Sequence, residues 1–267
     1  MENTWLDLQR KVVIVTGGNS GIGKKIVENL HGNRARVVVA DISQPAAAER
    51  LADVDYITCD ITRRGDVEHM VRNVAAKFTR IDGLINNAGV NRARLLVDYY
   101  QKEPGYELTD EDFDFMVGVN QKGLFVCSQE VARLMIKQRS GVIVNILSEA
   151  GLEGSKGQSC YAATKGAVQG FTLSWAKELG GFGIRVVGVA PGINERTPMG
   201  NDLHRKALAY TRGIDMAEID GDYSQKLPLG RSGRLEEIAD LVCYLVSDHS
   251  SYITGTTINI TGGKSKG

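Results

Sequence analysis

The sequence has no excess of either charge. Lys plus Arg number 32 and Asp plus Glu number 32. No basic field therefore exists to recruit nucleic acid or an anionic membrane, and an anionic ligand must be held by a local cluster. No run of about 18 apolar residues is present, which excludes a membrane-spanning helix. The start, MENTWLDLQRK, lacks an apolar signal core, so a cytoplasmic location is expected. Cysteine is sparse and forms no C-x-x-C pair. Cys59, Cys127 and Cys243 lie in apolar or strand-like contexts and read as buried thiols, whereas Cys160 adjoins Tyr161 and reads as a thiol open to reagents. The four histidines, His31, His69, His204 and His249, have no metal-ligand spacing, so no metal is expected. Repeats and low-complexity segments are missing too.

What is present is the material of one α/β domain. With 267 residues and 42% apolar content, the chain is long enough to bury a large core. Residues 11–15 (KVVIV) form a continuous apolar run, as expected of a strand buried on both faces. The turn TGGNSGIG follows over 16–23, and Ile22, Ile26, Val27 and Leu30 then keep helical spacing up to Gly32. Glycines let a backbone approach a pyrophosphate, and a helix N-terminus offers free N–H groups and a positive dipole end. In a strand–turn–helix setting this points to a nucleotide, with Gly17, Asn19, Ser20, Gly21, Ile22 and Gly23 at the turn.

A second strand over 37–41 ends in Asp41, eighteen residues after Gly23. A carboxylate there accepts from both hydroxyls of an adenosine ribose and repels a 2′-phosphate, which favours NAD over NADP. Residues 54–59 read as a third strand. Asp60 and Ile61 follow it, with Asp60 placed either to hold the adenine amino group or to cap a turn. Thr62 reads as the N-cap of the next helix. A fourth strand, 83–85, ends in Asn86-Asn87-Ala88-Gly89, a small, amide-bearing wall suited to a cofactor. Thr109 with Asp110, Glu111 and Asp112 starts a long helix by cap and dipole. Within it, Asn120 interrupts an apolar stretch, and an interior amide needs a partner or a function. Later come a strand over 184–190 ending in Pro191-Gly192-Ile193, an amphipathic helix over 235–246 and a last strand over 256–260. Strands alternating with helices imply one parallel sheet covered on both faces.

Residues 148–165, SEAGLEGSKGQSCYAATK, carry the chemistry. Tyr161 and Lys165 are four apart and so share a helix face. A free Tyr titrates near pH 10, and bringing it about three units lower needs roughly 4 kcal/mol. Two nearby cations, the Lys ammonium and an oxidised nicotinamide, can supply this in a dry site. Ser148 ends the apolar run 142–146, and its hydroxyl can return to the Tyr and to a substrate oxygen.

Together, the 16–23 turn, Asn86 to Gly89, Asn120, Ser148, Tyr161-x-x-x-Lys165 and Pro191-Gly192 resemble the short-chain dehydrogenase/reductase family in order and spacing across nearly the whole chain. The resemblance implies a single Rossmann-type, doubly wound domain over 1–267, with about seven parallel strands and helices on both faces. It implies a catalytic set of Asn120, Ser148, Tyr161 and Lys165. Tyr161 would be the general acid/base, and Ser148 would polarise the reacting oxygen. Lys165 would bind the nicotinamide ribose and lower the Tyr pKa, while Asn120 steadies a water in the proton path. The cofactor contacts would include Asp41, Asp60, Ile61, Asn87, Ala88, Gly89, Pro191, Gly192 and Ile193. A homotetramer is implied, with the Tyr/Lys helix between subunits. The family commonly has a Thr five residues after the Pro of Pro-Gly. Here Arg196 stands there and Thr197 comes one later, so either Thr197 takes the cofactor contact or Arg196 has a separate role.

Within the family, residues 87–91, 94–98, 151–155, 157–161 and 252–264 are most similar to members that oxidise a sugar-alcohol phosphate with NAD. Glu153, Gln158 and Ser159 would then meet polyol hydroxyls. The phosphate would fall to a cation such as Arg94 or Arg196, with Arg92, Lys156, Arg205 and Arg212 also in reach. Residues 91–109 are long for a strand–helix connection and read as a lid or a subunit contact. Residues 194–230 should contain short helices and close over the site. Reduction of a 3-oxoacyl thioester and oxidation of a free polyol are alternative reactions. A nucleotide-sensing protein without catalysis is the alternative from another class.

Overall fold

The computed structural model describes residues 5–102, 104–219, 223 and 227–265. Its seven strands are β1 (Val12–Thr16), β2 (Arg36–Asp41), β3 (Asp55–Thr58), β4 (Gly83–Asn86), β5 (Gly141–Ile146), β6 (Ile184–Pro191) and β7 (Thr256–Ile260). They form one sheet in the order β3-β2-β1-β4-β5-β6-β7, and every pairing is parallel. The chain winds outward from β1 to β3 and then returns to β4 on the other side. The crevice beyond the carboxyl ends of β1 and β4 is therefore the topological switch point, where such sheets bind ligands.

Strand β1 explains why the sheet must be covered twice. Val13 and Val15 point into one core, shared with Leu8, Ile26, Leu30, Ile238 and Val242. Val12 and Ile14 point into the other, with Val67, Met70, Val131 and Met135. Successive side chains of a strand face opposite ways, so an unbroken apolar strand needs a helical layer on each face. Helices α1 (Gly21–Gly32) and α9 (Leu235–Val246) supply residues to the first core. Helices α2 (Arg64–Phe78), α4 (Leu124–Gln138) and α6 (Ser159–Gly180) supply the second. The expected single, doubly wound domain is what forms.

Three local features differ from the sequence reading. Thr62 does not cap α2; that position is Arg63, and the Thr62 hydroxyl instead donates to Asp60 at 2.7 Å. The long helix is capped by Thr109 as expected, its oxygen accepting from Asp112 N at 3.1 Å. However, it runs as α3 (Asp110–Val117), a π-helical turn over Gly118–Gly123, and then α4. A π turn puts an extra residue into the helix, and Asn120 sits inside this one. Third, residues 194–230 hold a full helix, α7 (Asp202–Arg212), with a 3₁₀ turn at Pro198–Gly200 before it and α8 (Met216–Ile219) after it. The glycine at 221 lies outside the described residues. A short α5 (Ala150–Glu153) precedes α6. No helix among the described residues is long and apolar enough to cross a membrane.

Candidate active site

A cleft of about 730 Å³ lies over the switch point. Its nucleotide end is built by close backbone packing. Gly17 has φ +65°, and a Cβ there would stand 2.9 Å from Ala88 Cα. A Cβ on Gly23 would be 2.1 Å from Gly17 O and 2.4 Å from Asn87 Nδ2. Only glycine fits either place. The Thr16 hydroxyl accepts from Asn87 N and Ala88 N, both at 3.1 Å, while Asn87 Nδ2 donates to Gly17 O at 2.9 Å. The glycine turn and the β4 end are thus one rigid unit. Asp41 closes β2, with Oδ2 accepting from Asn19 N at 3.1 Å.

Ser20, Gly21, Ile22, Asp60, Ile61, Ala88, Gly89, Pro191, Gly192 and Thr197 line the cleft together with Gly17, Asp41 and Asn87. Asn19, Gly23 and Ile193 adjoin these residues in sequence without lining the cleft themselves. Gly23 and Asn19 brace the turn, and Ile193 O accepts from Gly233 N at 2.9 Å. Asn194 lines the cleft in place of Ile193. Asp60 does cap a turn, accepting from Thr62 N at 2.9 Å. Thr197 stands 3.2 Å from where a Gly21 Cβ would be, whereas Arg196 is exposed and does not line the cleft. Of the two, Thr197 is thus the side chain at the cleft.

At the other end, Tyr161 and Lys165 project from successive turns of α6, with Lys165 Nζ 5.8 Å from the Tyr161 ring centre. Lys165 is 5% exposed, and burial brings its pKa down to about 8. Its Nζ donates to Ile146 O at 2.7 Å. Burial pushes the Tyr161 pKa up, and a hydrogen bond with Ser148 works against that rise. The expected lowering of Tyr161 by Lys165 is not what sets its pKa in the protein by itself, because desolvation of the phenolate dominates.

Asn120 is 1% exposed and fully engaged. Its Oδ1 accepts from Val90 N at 2.8 Å, and its Nδ2 donates to Val90 O at 2.9 Å and to Thr164 Oγ1 at 3.0 Å. Both amide hydrogens are committed to protein. The side chain therefore ties the β4 wall to the Tyr161 helix rather than holding a water through Nδ2. Gly89 is packed between this amide and Lys165: a Cβ would be 3.3 Å from Asn120 Oδ1 and 3.6 Å from Lys165 Nζ.

The expected substrate residues do not converge. Arg94 Nε donates to Asp112 Oδ2 at 2.6 Å, and Arg92 Nη1 donates to Asp112 Oδ1 at 2.7 Å. Asp112 is 4% exposed; burial pushes its pKa up, and the two arginine hydrogen bonds outweigh that and hold it below the ordinary value. Asp112 is thus an ion-pair centre and more than helix-start chemistry. Glu153 turns away to Lys264, 2.6 Å distant. Gln158 Oε1 accepts from Ser155 Oγ at 2.7 Å. Arg205 pairs with Asp202, and Lys156 Nζ donates to Arg212 O at 3.2 Å. Arg94, Glu153, Gln158 and Arg196 all stand outside the cleft lining. Cys160 is 5% exposed and burial raises its pKa, so the expected reactive thiol is a buried one.

The 91–109 segment is joined to the active-site turn and to α7. Arg94 N donates to Gly157 O at 2.8 Å. The Tyr210 hydroxyl donates to Asp98, 2.8 Å from Oδ2, and accepts from Lys102 N at 3.1 Å. Sequence reasoning missed the cleft residues Ile42, Asp114, Phe115, Val119, Pro198 and Met199. None belongs to a motif, and only their place beside Asp41, Asn120 and Thr197 marks them. Among the described residues no group of three His, Cys, Asp or Glu could hold a metal.

A family model for short chain dehydrogenases matches residues 11–207. The chain belongs to the short-chain dehydrogenase family. Sorbitol-6-phosphate 2-dehydrogenase of Klebsiella pneumoniae is 51% identical over 99% of this chain and 100% of its own length. The 3-oxoacyl-[acyl-carrier-protein] reductase FabG of Thermotoga maritima is 41% identical over 96% of this chain and 98% of its own. The crystal structure of a 3-ketoacyl-(acyl-carrier-protein) reductase from Brucella melitensis complexed with NADH superposes with a TM-score of 0.78. It is 28% identical and covers 97% of this chain and 100% of that one. The family's members are oxidoreductases that use a nicotinamide cofactor, and the cleft fits one. The glycine turn leaves room that a Cβ would fill, and the Asn19 Oδ1 atom beside it is buried without a partner.

Proposed function

We propose that this chain oxidises the C2 hydroxyl of D-sorbitol 6-phosphate, giving D-fructose 6-phosphate, with NAD⁺ as the acceptor. The end-to-end identity with the Klebsiella enzyme carries the substrate. Asp41 supports NAD: a carboxylate in this place welcomes ribose hydroxyls and repels a 2′-phosphate. The cofactor's contribution, when bound, is to accept the hydride and to bring a positive charge to the site.

The chain's residues manage the proton and the pose. Tyr161 takes the hydroxyl proton as general base. Ser148 holds the reacting oxygen and stabilises the phenolate, as its opposition to the burial shift supports. Lys165, with a pKa brought to about 8, is poised both to favour the phenolate and to pass a proton on. Asn120 keeps the β4 wall and α6 in register. Asn87, Ala88, Gly89, Pro191, Gly192 and Thr197 form the cofactor wall. The segment that begins with Asn194, Thr197, Pro198 and Met199, all at the cleft, covers the substrate. A homotetramer in the cytoplasm completes the reading, and light scattering of the purified protein tests the assembly.

The Thermotoga relative favours a second reading, reduction of a 3-oxoacyl thioester. One assay separates the two: NADH formation from sorbitol 6-phosphate, alongside free sorbitol, NADP⁺ and a 3-oxoacyl thioester with NADPH. Rapid turnover with the sugar phosphate and NAD⁺ alone is expected. Equal turnover of free sorbitol removes the phosphate site, and preferred thioester reduction overturns the proposal.

A further inference from the structure

The C-terminal segment grips the back of the catalytic wall. Lys264 Nζ donates to Glu149 Oε1 at 2.7 Å and to Glu153 Oε1 at 2.6 Å. Ser265 Oγ donates to the second Glu149 oxygen at 2.9 Å. Burial works against the Lys264 charge, yet the two glutamates hold its pKa above the ordinary value. An exposed ion pair contributes little. This one is different because Glu149 is 9% exposed, so little water is left to replace these partners.

The place of Glu149 gives the contact its meaning. It follows Ser148 directly, and its N–H donates to Pro191 O at 3.0 Å. Its Oε2 lies 2.8 Å from where a Cβ on Gly192 would stand. Glu153 ends α5, and Gly151 of that helix packs on α6 so closely that a Cβ would stand 2.7 Å from Lys165 Cβ. Ser148, the Lys165 turn and the Pro191-Gly192 stretch therefore meet on one short helix. Four residues cannot hold a helix by backbone bonds alone, and Lys264 bridges the two ends of this one.

We propose that Lys264 is a positioning residue: by clamping α5 through Glu149 and Glu153 it sets where the Ser148 hydroxyl stands during turnover. It touches neither substrate nor cofactor. The proposal rests on the reading of Ser148 as the group that holds the reacting oxygen.

The test is steady-state kinetics of the full chain with sorbitol 6-phosphate and NAD⁺, together with nucleotide affinity and a melting midpoint. Small misplacements of reacting groups cost large factors in rate, so Lys264→Met should lower kcat about tenfold. The KM for NAD⁺ should stay within about twofold, since uniform binding is not what is lost. Lys264→Arg, which can bridge both carboxylates, should recover most of kcat. Ser265→Ala should lower kcat about threefold through the same carboxylate. Lys77→Met breaks a pair of similar length with Asp55, 2.6 Å, far from the site, and should change nothing. Unchanged kcat in Lys264→Met overturns the proposal, as does a loss that tracks the melting midpoint and is not rescued by Arg. Should Lys264→Met fail to fold, an unchanged kcat in Ser265→Ala overturns it. Ser148→Ala separates the two layers. If it retains turnover, the reading of the site falls and the clamp with it. If it is inactive while Lys264→Met is normal, the clamp alone falls.

Discussion

Two regions on either side of Tyr161 are made in different ways. The nucleotide end is backbone against backbone: Gly17 against Ala88, Gly23 against Gly17, with Thr16 and Asn87 tying β1 to β4. The flank beyond the Tyr161 end, outside the cleft lining, is side chain against side chain: Arg92 and Arg94 on Asp112, Tyr210 on Asp98, Lys156 on the Arg212 carbonyl. The first end is preformed by sterics and tolerates no added atom. The second is held by polar pairs that form only once distant segments meet, and it exposes Leu96, Val97, Tyr99 and Leu203 at its rim. A ligand with one invariant part and one variable part is well served by such a division.

The largest expected effect lies where the ends join. Tyr161→Phe should cut kcat by about 10³ through loss of general acid/base catalysis, with nucleotide binding kept in a fluorescence titration. Unchanged turnover would end the assignment of Tyr161 as the catalytic acid/base. Gly23→Ala tests the steric end. Its Cβ meets backbone at 2.1 Å, so NADH affinity should fall about a hundredfold while the sugar-phosphate contacts stay intact. A normal affinity would mean the turn is softer than its packing implies.

Asp112→Asn tests the paired end. Breaking a buried ion pair from one side should destabilise the fold by about 2 kcal/mol in denaturant melts. The sign with pH follows from the depressed pKa. The Asp112 contribution is complete above the unfolded value of about 4 and is lost as pH falls through the lower folded value. Wild type should therefore lose more stability on acidification than the Asn variant, and parallel acid titrations would deny Asp112 its role. The smallest effect belongs to Tyr210→Phe. Losing one hydroxyl between Asp98 and Lys102 should raise the KM for sugar phosphate about threefold and leave that for NAD⁺ unchanged.

The same division explains what could be read in the sequence. Strands β1, β2 and β6 and helix α9 were legible because each is a run of apolar residues or a clean helical stripe, and β7 through its β-branched Thr and Ile. The glycine turn, Asp41 and the Tyr161/Lys165 pair were legible because their chemistry is local. Arg94 and Glu153 pointed to substrate in the sequence because their partners are remote. Asp112 is 18 residues from Arg94, and Lys264 is 111 from Glu153. Cys160 looked reactive beside Tyr161, but neighbours on a helix point in different directions, and the thiol is inside. Asn120 announced itself as an amide in an apolar stretch, yet the turn that carries it has no sequence signature, since GVNQKG reads as ordinary helix.

That turn has a bearing on any attempt to make the protein hardier. Deleting one residue from Gly118–Gly123 would restore regular α geometry along a helix that otherwise runs from Asp110 to Gln138. The flanking turns would keep their phase, because the wide turn is what absorbs the extra residue, but the side chains within it would be re-aimed. The Asn120 amide would leave Val90 and Thr164, and the two walls would lose their common pin. The turn thus serves the fold as well as the reaction, because the three hydrogen bonds it aims join the two walls whether or not substrate is present.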